Sequence, residues 1–129
     1  MSESTLLDSN ILIDYLRGRA EAVEFVEGLK AVPRISAVTV AELYAGVRDG
    51  IERDVLDRLV AAFEIVDVDE VIAVMGGLLK RQYARSHGVG IADAIIAATA
   101  RVAGANLATL NTKHFPMFPD IEAPYERAQ

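Results

Sequence analysis

Apolar and polar positions along the chain change period often enough to predict alternating strands and helices. Thr5-Leu6-Leu7 is a β-prone run that stops on Asp8, and Ser9-Asn10 open an amphipathic stretch from Ile11 to Leu16 that ends near Gly18. Ala20 to Lys30 repeats Ala22, Val23, Val26 and Leu29 with Glu21, Glu24 and Glu27 between them, the pattern of a one-sided surface helix. Pro33-Arg34-Ile35-Ser36 predicts a short extended segment. Helices over Ala37–Val47 and Ile51–Phe63 follow, and Glu64 to Val68 alternates with the period of a half-exposed strand. Asp69 is placed to cap a long helix to about Ser86, which Gly88 and Gly90 break. A helix over Ile91–Val102 closes at Gly104, Leu107–Leu110 predicts a fourth strand, and Asp120-Ile121-Glu122 a last edge strand between Pro119 and Pro124. Such alternation implies an α/β fold, a parallel sheet covered by helices on both faces.

Two helices break their own pattern. The sides of Ala37–Val47 are apolar or small except for Thr39 and Glu42, three apart and so on one face, and Ile91–Ala100 carries the single charge Asp93 in its first turn. Carboxylates on buried helices need a cation, a proton or an opening into a cleft. No basic residue is spaced to pair locally with Glu42, and Arg101 is two turns from Asp93. Asp8 joins them, because ligands in open parallel sheets bind outside the carboxyl ends of strands. Simpler roles exist: Asp8 as a helix cap, Asp93 as a charge favoured by the helix dipole.

Composition narrows the chemistry. The chain has 129 residues, 52% of them hydrophobic, enough for one core and one domain spanning 1–129. A net charge of −6 excludes nucleic-acid binding by a generally basic surface, so such a substrate needs local help. Lys80, Arg81, Arg85, His87, Arg101 and Lys113 lie in the half that also supplies Asp93, and form a candidate rim. With no cysteine there is no disulfide, thiolate zinc site or cysteine nucleophile. The first residues lack the basic and apolar regions of a signal peptide, so a cytoplasmic protein without membrane spans is the expectation. Asp8, Glu42 and Asp93 are a ligand set for Mg²⁺, whose usual work is phosphate chemistry with a water as nucleophile. Zinc is disfavoured, since His87 and His114 share no helix. Two other classes stay open: a Mg²⁺-binding phosphoacceptor module using Asp67 or Asp69, and an inactive protein whose acids bind a basic peptide. Metal titration separates them.

Four blocks together resemble a known family: Leu-Leu-Asp8-Ser-Asn, Ser36-Ala-Val-Thr39-Val-Ala-Glu42-Leu-Tyr-Ala-Gly46, Gly90-Ile-Ala-Asp93-Ala-Ile-Ile-Ala-Ala and Ala108-Thr-Leu-Asn111-Thr-Lys-His114-Phe. In this order and spacing they are similar to PIN-domain ribonucleases, in particular VapC-type toxins of toxin–antitoxin pairs, and cover nearly the whole chain. The resemblance implies a three-layer fold with a parallel sheet of about five strands, Mg²⁺- or Mn²⁺-dependent endoribonuclease activity, homodimerisation, and a VapB-type antitoxin whose C-terminal arm blocks the site, in a heterotetramer or larger assembly. Asp8, Glu42 and Asp93 match its acidic positions, while Thr39, with Ser9 beside Asp8, is the hydroxyl expected to support them. The fourth block departs from the fully acidic pattern: Asn111 brings no charge and is expected to position water or substrate, which puts a second ion in doubt. Arg85, Lys113 and His114 are candidate contacts to RNA or antitoxin.

Surplus apolar residues, Tyr44 and Val47 on the third helix and Val74, Leu78 and Tyr83 on the long one, predict a dimer in which Gly76-Gly77 permit close helix approach across a two-fold axis.

Overall fold

The computed structural model describes residues 4–127. Strands β1 (Thr5–Leu7), β2 (Arg34–Ser36), β3 (Glu64–Val66) and β4 (Asn106–Ala108) form a parallel four-stranded sheet in the order β3-β2-β1-β4. Between them run α1 (Ser9–Leu16), α2 (Ala20–Glu27), α3 (Ala37–Ala45), α4 (Ile51–Ala62), α5 (Glu70–His87) and α6 (Ile91–Ala103), and a 3-10 turn, Thr112–His114, follows β4. The expected edge strand at 120–122 does not form, so the sheet has four strands rather than about five. Its flanking prolines remove ladder donors, and the Ile121 amide turns back to the Phe118 carbonyl at 3.1 Å instead.

Layering follows from β1. Leu6 and Leu7 are both fully buried yet enter different clusters, Leu6 with Ile72, Ile96 and Phe115, Leu7 with Ile11, Leu12, Leu43 and Leu56. Successive strand residues point to opposite faces, so α5 and α6 cover one face and α1 to α4 the other. Each buried leucine contributes roughly 1.5–3 kcal/mol relative to exposure.

Gly76 belongs to this packing and not to a two-fold contact. A Cβ there would lie 2.9 Å from Ile95 Cγ1 and 3.1 Å from Ile95 Cα, so glycine is what lets α5 approach α6 within the chain. Gly77 points into open space. Tyr44, Val47 and Tyr83 are partly buried against the clusters, which leaves Val74 and Leu78 of the expected dimer residues on the open surface.

The chain end is tied to α1 by a fully buried carboxylate. Asp14 Oδ2 accepts from Tyr125 Oη and Arg127 Nε, each at 2.9 Å, and Arg19 Nε lies 3.4 Å from Oδ1. Burial alone would raise the Asp14 pKa, but the bonds from Arg127 and Tyr125 and the charges of Arg127 and Arg19 outweigh it and hold it below the ordinary value.

The strand order positions the site. From β1 the chain steps outward through β2 to β3 and then returns to place β4 on the other side of β1, so the order reverses between β1 and β4. A cleft opens beyond the carboxyl ends of strands at such a point. The register pairs Leu7 with Ala108, and the Asp8 amide extends the ladder to the Ala108 carbonyl at 2.9 Å, bringing Asp8 beside Thr109.

Candidate active site

Asp8 caps α1 from the end of β1. Its Oδ1 accepts from the Ser9 amide at 2.8 Å, and its Oδ2 accepts from the Thr109 hydroxyl at 2.8 Å and, weakly, from Asn10 Nδ2 at 3.4 Å. Asn10 Nδ2 also reaches Thr109 Oγ1 at 3.2 Å, while Asn10 Oδ1 takes the Leu110 amide at 3.1 Å. The Asn111 amide donates to the same hydroxyl oxygen at 3.0 Å. Thr109 therefore spends both lone pairs on Asn10 and Asn111 and has one proton left for Asp8. Asn10 and Thr109 were not singled out from the sequence. The available signal was Thr109 itself, a hydroxyl in an otherwise apolar strand end.

Glu42 and Asp93 come to the same cleft from α3 and α6. Glu42 is more open than expected: α3 buries Thr39 and Leu43 but exposes Ala41, Glu42 and Ala45, so the helix has one free face and the carboxylate stands on it. Asp93 is half-buried in the first turn of α6 and lies 3.1 Å from His114 Nδ1.

The acids feel one another. Burial raises the Asp8 pKa, the Thr109 and Ser9 hydrogen bonds pull it back, Asp93 raises it further and His114 lowers it. Glu42 is raised by partial loss of water and then by the charges of Asp8 and Asp93. Among the described residues every Arg ion pair goes to other acids, and only the His114 imidazole touches one of these three. Three neighbouring carboxylates with no Lys or Arg paired to them are what a hard divalent cation requires, so the donor set fits such an ion. They do not form a finished cage, since no group of three His, Asp or Glu is closely enough gathered among the described residues.

The supporting residues differ from expectation. Thr39 is fully buried one turn before Glu42, but its hydroxyl has no hydrogen-bond partner and holds no carboxylate; Thr109 does that instead. Ser9 acts through its backbone amide. Asn111, Lys113 and His114 sit together after β4, whereas Arg85, exposed in the last turn of α5, has no bond to the acids. Two members of the basic rim are engaged elsewhere, Lys80 at the Val89 carbonyl at 3.3 Å and Arg101 at the Met117 carbonyl at 3.0 Å. Asp67 and Asp69 follow β3, an edge strand, and Asp69 caps α5 through the Ile72 amide at 2.9 Å. A phosphoacceptor needs its aspartate beyond a central strand, so that alternative loses its residue.

Parallel sheet, reversal point and acidic cleft define a nuclease-like α/β domain. Residues 5–119 match the PIN domain, and the chain belongs to that family. It is 45% identical over 123 residues to Ribonuclease VapC10 of Mycobacterium tuberculosis, covering 93% of this chain and 92% of the relative. Ribonuclease VapC19 of the same species is 44% identical over 124 residues, covering 93% and 98%. A solved toxin-antitoxin complex from Klebsiella pneumoniae superimposes with a TM-score of 0.82 at 32% identity, covering 95% and 98%.

Proposed function

We propose that the chain is a divalent-metal-dependent endoribonuclease, the toxin of a VapBC-type pair. The observation that carries this reading is the trio Asp8, Glu42 and Asp93, acids from three separate elements near enough that the charge of Asp93 adds to the raised proton affinity of Asp8 and the charges of both add to that of Glu42, with no Lys or Arg paired to them among the described residues. The VapC relatives supply the substrate class. Asp8, Glu42 and Asp93 hold the ion, Mg²⁺ in the first instance with Mn²⁺ as a substitute. A divalent cation bound there makes a water a better nucleophile and offsets charge on the phosphoryl oxygens. The chain's own residues do the rest. Thr109 and the Ser9 amide each fix one Asp8 oxygen in place, Asn111 presents an exposed amide to water or substrate, and Lys113 offers a charge to the RNA backbone.

Two surfaces fit the partners. A groove between α1, α3 and α4, lined by Ile13, Leu16, Leu43, Val47 and Val55, runs up to Glu42. An antitoxin arm that lays an apolar segment there brings a following Arg to the carboxylates, in place of the ion. Val71, Val74 and Leu78 make an exposed stripe on α5, 60%, 57% and 49% open, at the spacing of one helix face, which suits a second copy of the chain. No helix is long and apolar enough to cross a membrane among the described residues.

Sequencing the ends of RNAs cleaved on induced expression, beside an Asp93→Asn control, tests the activity. Defined ends that require Asp93 and Mg²⁺ support it, and ends that appear equally with the variant or in chelator overturn it.

A further inference from the structure

We infer that Asn10 is a positioning residue of the site: its carboxamide fixes the direction of the Thr109 hydroxyl proton, and so joins Asp8 and the turn carrying Asn111 into one unit. This rests on the reading of the site above. A side-chain amide accepts at its oxygen and donates at its nitrogen, and Asn10 uses both ends on the residues that follow β4. Its Oδ1 takes the Leu110 amide at 3.1 Å, which only an oxygen can do, and this leaves Nδ2 facing Thr109 Oγ1 at 3.2 Å. The amide is therefore locked one way round.

A hydroxyl by itself is a rotor whose proton goes wherever an acceptor is offered. Here the Thr109 oxygen meets two donors, Asn10 Nδ2 and the Asn111 amide at 3.0 Å, so its proton is left for Asp8 Oδ2 at 2.8 Å. Thr109 is fully buried, so bulk water is not there to replace a lost donor. Removing the Asn10 carboxamide frees one lone pair of the hydroxyl, takes the acceptor from the Leu110 amide and deletes the weak 3.4 Å bond to the same Asp8 oxygen. Asn10 thus sets Asp8, at the head of α1, and Asn111, beyond β4, from a single position, acting through Thr109.

The test compares the full chain with Asn10→Ala, Thr109→Val, Thr109→Ser and the double variant Asn10→Ala/Thr109→Val, with circular dichroism and thermal melting to check the fold. Valine keeps the branched shape without the hydroxyl, and serine keeps the hydroxyl. With saturating Mg²⁺ and an RNA whose cut the end-sequencing above defines, Asn10→Ala and Thr109→Val should each lower kcat roughly tenfold at little changed KM, while Thr109→Ser stays close to the parent. The double variant should be no slower than the slower single, because residues that act as a unit are not additive. In the metal-free chain, NMR should show faster hydrogen exchange at the Asn111 amide in Asn10→Ala, although that amide bonds Thr109 and not Asn10. Additive losses in the double variant, Thr109→Ser as slow as Thr109→Val, or an Asn111 amide unmoved in Asn10→Ala would each overturn this inference and leave the proposed function standing. A parent that cleaves no RNA overturns the proposed function and takes this inference with it.

Discussion

Helix α1 carries two buried aspartates that the fold treats in opposite ways. Asp14 is fully buried and surrounded by Arg127, Tyr125 and Arg19, so its charge is matched and its proton affinity falls. Asp8, 3% exposed at the other end of the helix, receives hydrogen bonds from neutral donors but no Lys or Arg partner, and burial raises its proton affinity despite the charge of His114. A structural carboxylate is one whose charge the protein satisfies from its own residues. A functional one is oriented by neutral donors and left with charge to spare, so that something from outside completes it. The same contrast separates both from Glu42, which has neither orienting donors nor a cation.

Breaking that contrast gives graded outcomes. The largest is expected for Asp8→Ala or Asp93→Asn, which should cut RNA cleavage by at least about a hundredfold, since even outer-shell changes at metal sites cost 10–100-fold. A gel assay on purified protein with Mg²⁺ checks this. Asp14→Ala should do the reverse, losing roughly 2–3 kcal/mol of stability in urea unfolding while the folded fraction still cleaves, because it removes charged hydrogen bonds that lie away from the acids of the site. Loss of cleavage at full stability in Asp14→Ala would erase the distinction drawn between the two aspartates.

Smaller effects sharpen it. Gly76→Ala forces a methyl against Ile95 and should cost about 1–3 kcal/mol with no change in oligomeric state, as light scattering and unfolding together will show. Asparagine at position 8 is not neutral for the fold, because its amide NH₂ would face either the Ser9 amide or the Thr109 hydroxyl, both donors. Asp8→Asn therefore lowers Tm a little. Glu42→Gln, with no such partner to lose, raises it in metal-free protein.

The pH dependence of the metal-free chain carries both signs. Asp8 and Glu42 have folded pKa values above their unfolded ones, so their ionisation works against folding above those values and is relieved as pH falls through them. Asp14 is depressed below 3.8, so its contribution is present above that value and is lost as pH falls through its folded pKa. Tm should rise from neutrality into weak acid and then drop. In Asp14→Asn the final drop should be shallower, and in Glu42→Gln the initial rise smaller, by thermal scans across pH.

Much of this was legible because local pattern and global fold agree. Alternating periods located every strand and α-helix described, though not the 3-10 turn at Thr112–His114, and carboxylates on otherwise apolar helices marked Glu42 and Asp93. Where reading along the chain went astray, a distant partner made the difference. Residues 120–122 have strand composition, but only proline-free backbone beside β4 could have paired, and the turn at Phe118 was the alternative. Gly76-Gly77 announced a close approach, yet which helix approaches is a property of packing, and Ile95 took the place. Thr39 was the hydroxyl one helical turn from an acid, while Thr109, 101 positions from Asp8, was the one whose hydroxyl bonded a carboxylate of the site.

The sequence by itself determined the element order, the two-faced core around Leu6 and Leu7 and the acidic character of the site, because these follow from short-range periodicity and from the cost of burying charge. Tertiary structure alone decided which aspartate of α1 is neutralised and which is left open. That choice depends on where Arg127, Tyr125 and Thr109 arrive from across the fold, and no spacing within α1 encodes it.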